Sequence, residues 1–250
     1  MPSNFGIFTE EEMAMAINNK RVCELPKNLR YTLFRIYGPL EEEEIVHADR
    51  LRNHMKPDIW VEYKGIKKYI SIKSGRATEL HQEKLETFVP FLKQKGLSEE
   101  SCKFLKEYCY GDGTDDGSGE QAYEFVRLKE HFRERSALFN KEVISKPDLV
   151  NEVLYRCIFG GAIQNGIEAD YIYFGDAEYG NIMSWKQLKK HTSFRTWGFM
   201  DNPHFGPLQF KAKIRGQARN PEKEYLRHCV ELWWANLEPD LRFISNRYNL

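Results

Sequence analysis

An α/β (α+β) architecture is expected from three patterns in this 250-residue chain. Helix-like segments flank two alternating apolar runs that read as a β-hairpin. An apolar strand segment stands in mid-chain. A further strand, alternating strictly between apolar and polar residues, comes late. Helix, hairpin, helix and later strand is the order of a mixed fold. A chain of this length buries one large core or two small ones.

Residues 9–20 read as a helix, with Thr9 as cap and Glu12 three residues later completing a capping box. Residues 26–36 read as a second helix, ended by Gly38-Pro39, and residues 40–55 as a third, with Leu40, Ile45 and Leu51 facing inward. Ile59, Val61 and Tyr63 then run into Lys64-Gly65, and Ile66, Ile70 and Ile72 run back out, which is a hairpin. A helix over 78–95, capped by Thr78, carries Pro90, which implies a kink or an early stop. A helix over 99–108 leads into the loop GDGTDDGSGE, and helices over 120–139 and 147–158 follow. Ser145 and Pro147 mark the start of the last of these and Gly160-Gly161 its end. Residues 170–175 read as a buried strand, MSWKQLKKH as a helix, 207–216 as a strand, and KEYLRHCVELWW as a closing helix or strand. With no repeat, long linker or boundary in view, the expectation is one domain over 1–250. It has a helical extension over 1–40 and a basic region over 186–227.

Formal net charge is zero, but the charge is segregated. From Lys186 to Arg227 there are ten Lys and Arg against three acids, whereas Glu10–Glu12 and Glu41–Glu44 form acidic runs. Local basic surface rather than net charge governs contact with phosphate. No apolar run approaches membrane length and no signal peptide opens the chain, so a cytoplasmic protein with no membrane partner is expected. Five scattered cysteines without a CxxC pair agree with a reducing compartment and argue against zinc.

The chemistry concentrates at the hairpin. Asp58 follows Pro57 and opens the first strand, and Lys73 closes the second. Side chains on a strand alternate faces, so Ser71 and Lys73 project together, away from Ile72. Antiparallel pairing brings Lys73 towards Asp58. A carboxylate that holds a hard cation, beside a lysine that steadies a water, is the minimum set for metal-assisted phosphodiester cleavage.

Pro57-Asp58, the hairpin and Ser71-Ile72-Lys73 together resemble the PD-(D/E)xK nuclease superfamily, and within it the small type II restriction endonucleases. Ser71 stands where the family pattern has an acid, as in a subset that carries Ser-x-Lys and takes its second carboxylate from the following helix. Candidates there are Glu79, Glu83 and Glu86, spaced to share one helical face, with Glu86 nearest the expected distance. The resemblance implies a restriction-endonuclease-like core, a mixed central sheet flanked by helices. It also implies Mg²⁺-dependent, sequence-specific hydrolysis of double-stranded DNA. Asp58, Glu86 and the backbone carbonyl of Ile72 would hold the cation, Ser71 a water, and Lys73 would orient the attacking water. An acid from Glu41–Glu44 would assist. Phe159-Gly160-Gly161 with the strand after it, and Phe205-Gly206 with the basic strand, look like the middle and ending of such enzymes. A palindromic target would call for a two-fold homodimer.

Leu208, Phe210, Ala212 and Ile214 alternate with Gln209, Lys211, Lys213 and Arg215, and Gln217 and Arg219 continue the polar series. The polar face fits DNA: Lys neutralises phosphate, Arg grips guanine and Gln adenine. The other reading is a solvated face, since lysines protect edge strands. Asp112, Thr114, Asp116 and Gly117 fit the start of an EF-hand loop, but Tyr123 stands where its closing Glu is required, so a surface turn is expected. Pro147-Asp148 reads as a helix start and Pro239-Asp240 as a turn after a helix. Three rival functions remain: a repair or junction nuclease of the same fold, a catalytically inactive DNA-binding protein, and an interaction protein without nucleic acid.

Overall fold

The structure is a computed structural model and describes residues 5–51, 56–74, 79–119, 125–162, 166–192, 202–211 and 221–247. The fold is mixed α/β. In chain order, α1 (Phe5–Ile17) leads through β1 (Lys20–Arg21) to α2 (Lys27–Tyr37). Then come β2 (Ile45–Arg50), β3 (Ile59–Tyr63), β4 (Ile66–Lys73) and β5 (Glu79–Lys84). Helices α3 (Leu85–Gln94), α4 (Glu99–Tyr110), α5 (Phe125–His131), α6 (Arg133–Ile144) and α7 (Pro147–Tyr155) follow. After a π-helical turn at Arg156–Gly160 come β6 (Tyr171–Gly175), β7 (Gly180–Ser184) and α8 (Trp185–Thr192). Then β8 (His204–Phe205), β9 (Leu208–Lys211), a 3-10 segment at Pro221–His228, β10 (Cys229–Trp233) and α9 (Leu237–Arg247) complete the described chain.

Two compact units partition these elements. The first is Met1–Thr78, Ile158–His191 and Asn236–Leu250; the second is Glu79–Cys157 and Thr192–Ala235.

The first unit holds a six-stranded sheet in the order β1-β2-β3-β4-β6-β7. All neighbours are antiparallel except β4 and β6, which run parallel with Ile72 opposite Tyr173. The hairpin turns on Lys64 (φ 50°) and Gly65 (φ 74°), the paired left-handed conformations whose twist matches the flanking strands. Alternation then sends Ile59, Val61, Ile70 and Ile72 to one face, where Met13 and Ile17 of α1 and Leu29 and Leu33 of α2 complete an apolar core. Asp170, just before β6, sets the parallel register. Its Oδ2 accepts the Tyr69 N–H at 2.9 Å, its own N–H reaches the Tyr69 carbonyl at 2.8 Å, and Oδ1 pairs with Lys68 at 3.0 Å.

The second unit holds an antiparallel sheet in the order β5-β10-β9-β8. Its core is aromatic: Phe139 lies 5.6 Å from Phe104, 5.5 Å from Phe205 and 6.3 Å from Phe210 between ring centres. Such offset and edge contacts add about 0.5–1.5 kcal/mol per pair beyond area burial.

The hairpin, the mid-chain strand and most helices stand where the sequence puts them. Four expectations are corrected. Residues 45–50 are a strand rather than part of a helix over 40–55: Val46 and Ala48 are buried while Ile45, His47 and Asp49 are exposed, a period of two. Residues 79–84 are likewise strand β5, held by antiparallel pairing along β10, so the helix expected over 78–95 begins only at Leu85 and runs past Pro90 to Gln94. Glu79, Glu83 and Glu86 therefore do not share a helical face. Thr9 is a buried residue inside α1 rather than its cap, and Pro239-Asp240 lies in the first turn of α9 rather than in a turn after a helix.

Candidate active site

Asp58 is fixed at the open end of the hairpin by its own backbone. Its N–H donates to the Ile70 carbonyl and its carbonyl accepts from the Leu51 N–H, each at 2.9 Å. Its side chain turns back onto β4, where Oδ2 accepts the Ile72 N–H at 2.5 Å and the Ser71 hydroxyl at 3.1 Å. The Lys73 ammonium stands 3.8 Å from the same oxygen, an ion pair wider than a hydrogen bond. Ser71 is fully buried, so its hydroxyl has to find a partner in the protein, and Asp58 provides it. Asp58 and Lys73 keep 19% and 22% of their side-chain surface open, enough for a ligand to reach them.

A fourth member of this cluster is one the sequence reading did not single out. Glu10 of α1 is held by Arg50 at 2.8 Å, and the neighbouring Thr9 hydroxyl lies 3.0 Å from that of Ser74, which ties α1 to the end of β4. Burial first, and the negative charge of Asp58 second, push the Glu10 carboxyl above the ordinary carboxylate range, against the Arg50 hydrogen bond and the charges of Arg50 and Lys73. Glu10 lies three, four and seven residues before the buried Met13, Ala14 and Ile17, which puts it on the same side of α1 as they are.

The other expected acids lie on other elements. Glu79, Glu83 and Glu86 belong to the second unit. Glu83 is buried and takes Arg156 through both oxygens, at 2.9 and 2.5 Å, and His81 at 2.8 Å. Burial works to raise its carboxyl, but these hydrogen bonds win and hold it down at about 2. Glu86 is 71% exposed beside Lys84. In the Glu41–Glu44 run, Glu41 pairs with Lys64 at the hairpin turn and Glu43 with Arg21. Five residues of β3, roughly 17 Å at strand rise, separate that turn from Asp58.

Of the expected DNA-contacting residues, Gln209 and Lys211 are described: both point away from the core that takes Leu208 and Phe210, as alternation requires. Lys211 lies over the Trp233 ring at 3.8 Å. β8 pairs only with Leu208 and Gln209, so Lys211 has a strand partner on its β10 side, Glu231, and the solvated-face reading of this lysine stands beside the DNA reading. Lys213, Arg215, Gln217 and Arg219 lie outside the described residues.

The oxygen set at Asp58 can be tested against Mg²⁺. Oδ1 of Asp58 has no hydrogen bond among the described residues, and Glu10 is a neighbouring carboxylate whose charge is opposed by Asp58. Two partly open carboxylates are hard donors of the kind Mg²⁺ takes when substrate phosphate and water complete its shell. The residues therefore fit, with Asp58 and Glu10 as the side chains that would hold the ion. Among the described residues, no group of three or more His, Cys, Asp or Glu side chains is arranged to hold a metal by itself. No helix among them is long and apolar enough to cross a membrane.

No protein-family model matches the chain, and no curated protein matches it in sequence.

Proposed function

We propose that this chain is a Mg²⁺-dependent endonuclease of the PD-(D/E)xK kind, hydrolysing phosphodiester bonds in double-stranded DNA in the manner of a type II restriction enzyme. The observation that carries the proposal is the meeting of Asp58 and Lys73 at 3.8 Å on the open end of a hairpin, with Ser71 and the Ile72 N–H on the same carboxylate oxygen. The sheet that carries them is mixed, with β4 and β6 parallel among antiparallel neighbours.

In this reading the Ile72 and Ser71 donors lock the Asp58 carboxylate with Oδ1 turned free. Asp58 and Glu10 then supply the negative charge that draws a divalent cation, and Glu10 takes the part first given to Glu86. A bound Mg²⁺ would supply Lewis acidity at the scissile phosphate. Lys73 contributes a cation that orients the attacking water and offsets charge growing on the phosphoryl oxygens. Gln209 and Lys211 of β9 contact the duplex. A palindromic target would use a homodimer, and action in the cytoplasm fits a role against incoming DNA.

The test is incubation of the pure protein with a long unmethylated duplex, with Mg²⁺ and with chelator. Discrete metal-dependent fragments are expected. Lys73→Ala is expected to lower cleavage by roughly 100-fold or more, the scale of removing one charge-stabilising donor, and to leave duplex binding within a few-fold. Wild-type-like cutting by that variant removes the assignment. A second reading, a DNA-binding protein without cleavage, is favoured by Ser71, which offers no carboxylate where the motif has one; duplex binding with no metal-dependent cutting would select it.

A further inference from the structure

Helix α2 presents a face that its own unit does not use. Leu29, Thr32 and Leu33 are buried against the sheet, and Tyr37 donates to the Val61 carbonyl at 2.7 Å. On the opposite side Tyr31 and Phe34 are 47% and 51% exposed. The helix KNLRYTLFRIY contains Lys27, Arg30 and Arg35 and no acid. Lys27 with Tyr31, Arg30 with Phe34, and Tyr31 with Arg35 are each four residues apart, so every exposed ring has a cation one turn away. The Arg35 guanidinium lies 5.9 Å from the Tyr31 ring centre.

The charge is also unanswered. Arg21, Arg50, Lys64 and Lys68 of the same unit each have a carboxylate partner. Among the described residues, Lys27, Arg30 and Arg35 have none. Single exposed apolar side chains are ordinary on protein surfaces. Two aromatic rings on one turn, interleaved with three unpaired cations, form a platform complementary to a polyanion with flat, stackable faces.

We infer that the outer face of α2 binds an unpaired nucleic-acid strand, with Tyr31 and Phe34 stacking on bases and Lys27 and Arg30 neutralising phosphates. This extends the nuclease reading from the chemistry at Asp58 to how a displaced or single strand is held, and for its choice of polymer it rests on that reading. Duplex bases are already stacked on one another, so the rings discriminate in favour of the open strand.

The experiment is fluorescence anisotropy of the full chain with a labelled oligothymidylate and a labelled duplex, in chelator, across a range of salt. Tyr31→Ala/Phe34→Ala is expected to weaken strand binding by at least roughly tenfold with little change in salt dependence, and to leave duplex binding within about twofold. Lys27→Ala/Arg30→Ala is expected to flatten the salt dependence. Phe34→Leu, which keeps an apolar side chain but removes the ring, is expected to lose strand affinity too. All four positions face solvent or its margin, and circular dichroism checks that each variant folds. Strand affinity unchanged in both double variants, or equal losses on strand and duplex, overturns the inference. Self-association of the wild type that disappears with Tyr31→Ala/Phe34→Ala also overturns it, since the occupant is then a second copy. Strand binding through α2 without any Mg²⁺-dependent cutting would remove the nuclease reading and leave this one standing; cutting with no α2-dependent strand binding would do the reverse.

Discussion

Glu10 illustrates how a single side chain sets a balance between stability and chemistry. Its carboxyl is raised by burial and by Asp58, so the folded state binds a proton more tightly than the unfolded chain does. Stability from this group is present at low pH and is lost as pH rises from the ordinary carboxylate value through the raised folded value. Glu10→Gln keeps an acceptor for Arg50 and removes the repulsion. It is expected to raise the melting temperature by a few degrees at pH 7 in chelator, and to lose most of the extra stabilisation that Mg²⁺ confers on the wild type. Scanning calorimetry with and without Mg²⁺ reads both; equal stabilisation by Mg²⁺ in the two proteins would take Glu10 out of the site. Glu83 carries the opposite sign. Its carboxyl, against the pull of burial, is held at about 2 by His81 and Arg156, so the stability it contributes, about 3 kcal/mol by linkage, is present above the ordinary value and disappears as pH falls towards 2. Glu83→Gln is expected to flatten the stability curve across that acid window in urea titrations. Arg156→Ala, which leaves a buried carboxylate without its cation, is expected to cost about 3–5 kcal/mol at neutral pH.

Elements rather than residues explain what could be read from sequence and what could not. The hairpin was legible because Ile59, Val61 and Tyr63 alternate and Lys64-Gly65 is a turn, and both strands begin where the pattern begins. Asp58 and Lys73 were legible for the same reason, since a two-residue turn fixes which residues meet at the far end. β2 was missed because Glu41–Glu44, His47 and Ala48 favour other conformations, and its alternation of Val46 and Ala48 gains meaning only beside β3. β5 was missed because Glu-Leu-His-Gln-Glu-Lys is rich in helix formers, and pairing along β10 overrides that preference. The helical face expected to join Glu79, Glu83 and Glu86 fails as a consequence, since a helical spacing was applied to a strand. The β6–β7 turn supplies a prediction at this scale. Gly175 has φ 136°, and a Cβ there would strike the Tyr179 carbonyl; one on Gly180 would strike the Tyr173 hydroxyl, which accepts from Asn28 at 2.8 Å. Gly175→Ala is expected to destabilise the protein by more than about 1 kcal/mol, the least that an incompatible positive φ costs. Chemical denaturation measures it, and an unchanged midpoint would mean that the turn rearranges freely.

Taken as a whole, the chain has no net charge, and its basic excess lies between Lys186 and Arg227, partly outside the described residues. The covalent path enters and leaves the first unit repeatedly: that unit takes residues from three separate stretches of sequence and the second from two. No contiguous fragment therefore contains one complete unit without residues of the other. A fragment ending at Thr78 holds Asp58 and Lys73 but lacks β6 and β7, the strands that continue the sheet beyond β4. It is expected to show little ordered sheet by circular dichroism and no cooperative melt; a cooperative melt would show that β1 to β4 suffice.

The parallel pairing of β4 with β6 also bears on how the protein is made. Roughly a hundred residues separate the two strands, so when β4 leaves the ribosome its partner is seconds from being synthesised. During that interval one edge of a strand carrying Ile66, Ile70 and Ile72 has nothing to pair with, the condition under which nascent chains associate with one another. Lys67, Lys68 and Lys73 lie on that same strand. Charges at such positions discourage a second nascent strand from adding. Lys68 is then taken up by Asp170 when the parallel register closes, and Lys73 by the carboxylate at the head of the hairpin. The lysines that finish as parts of a register clamp and a candidate active site thus serve first as guards of an unfinished sheet.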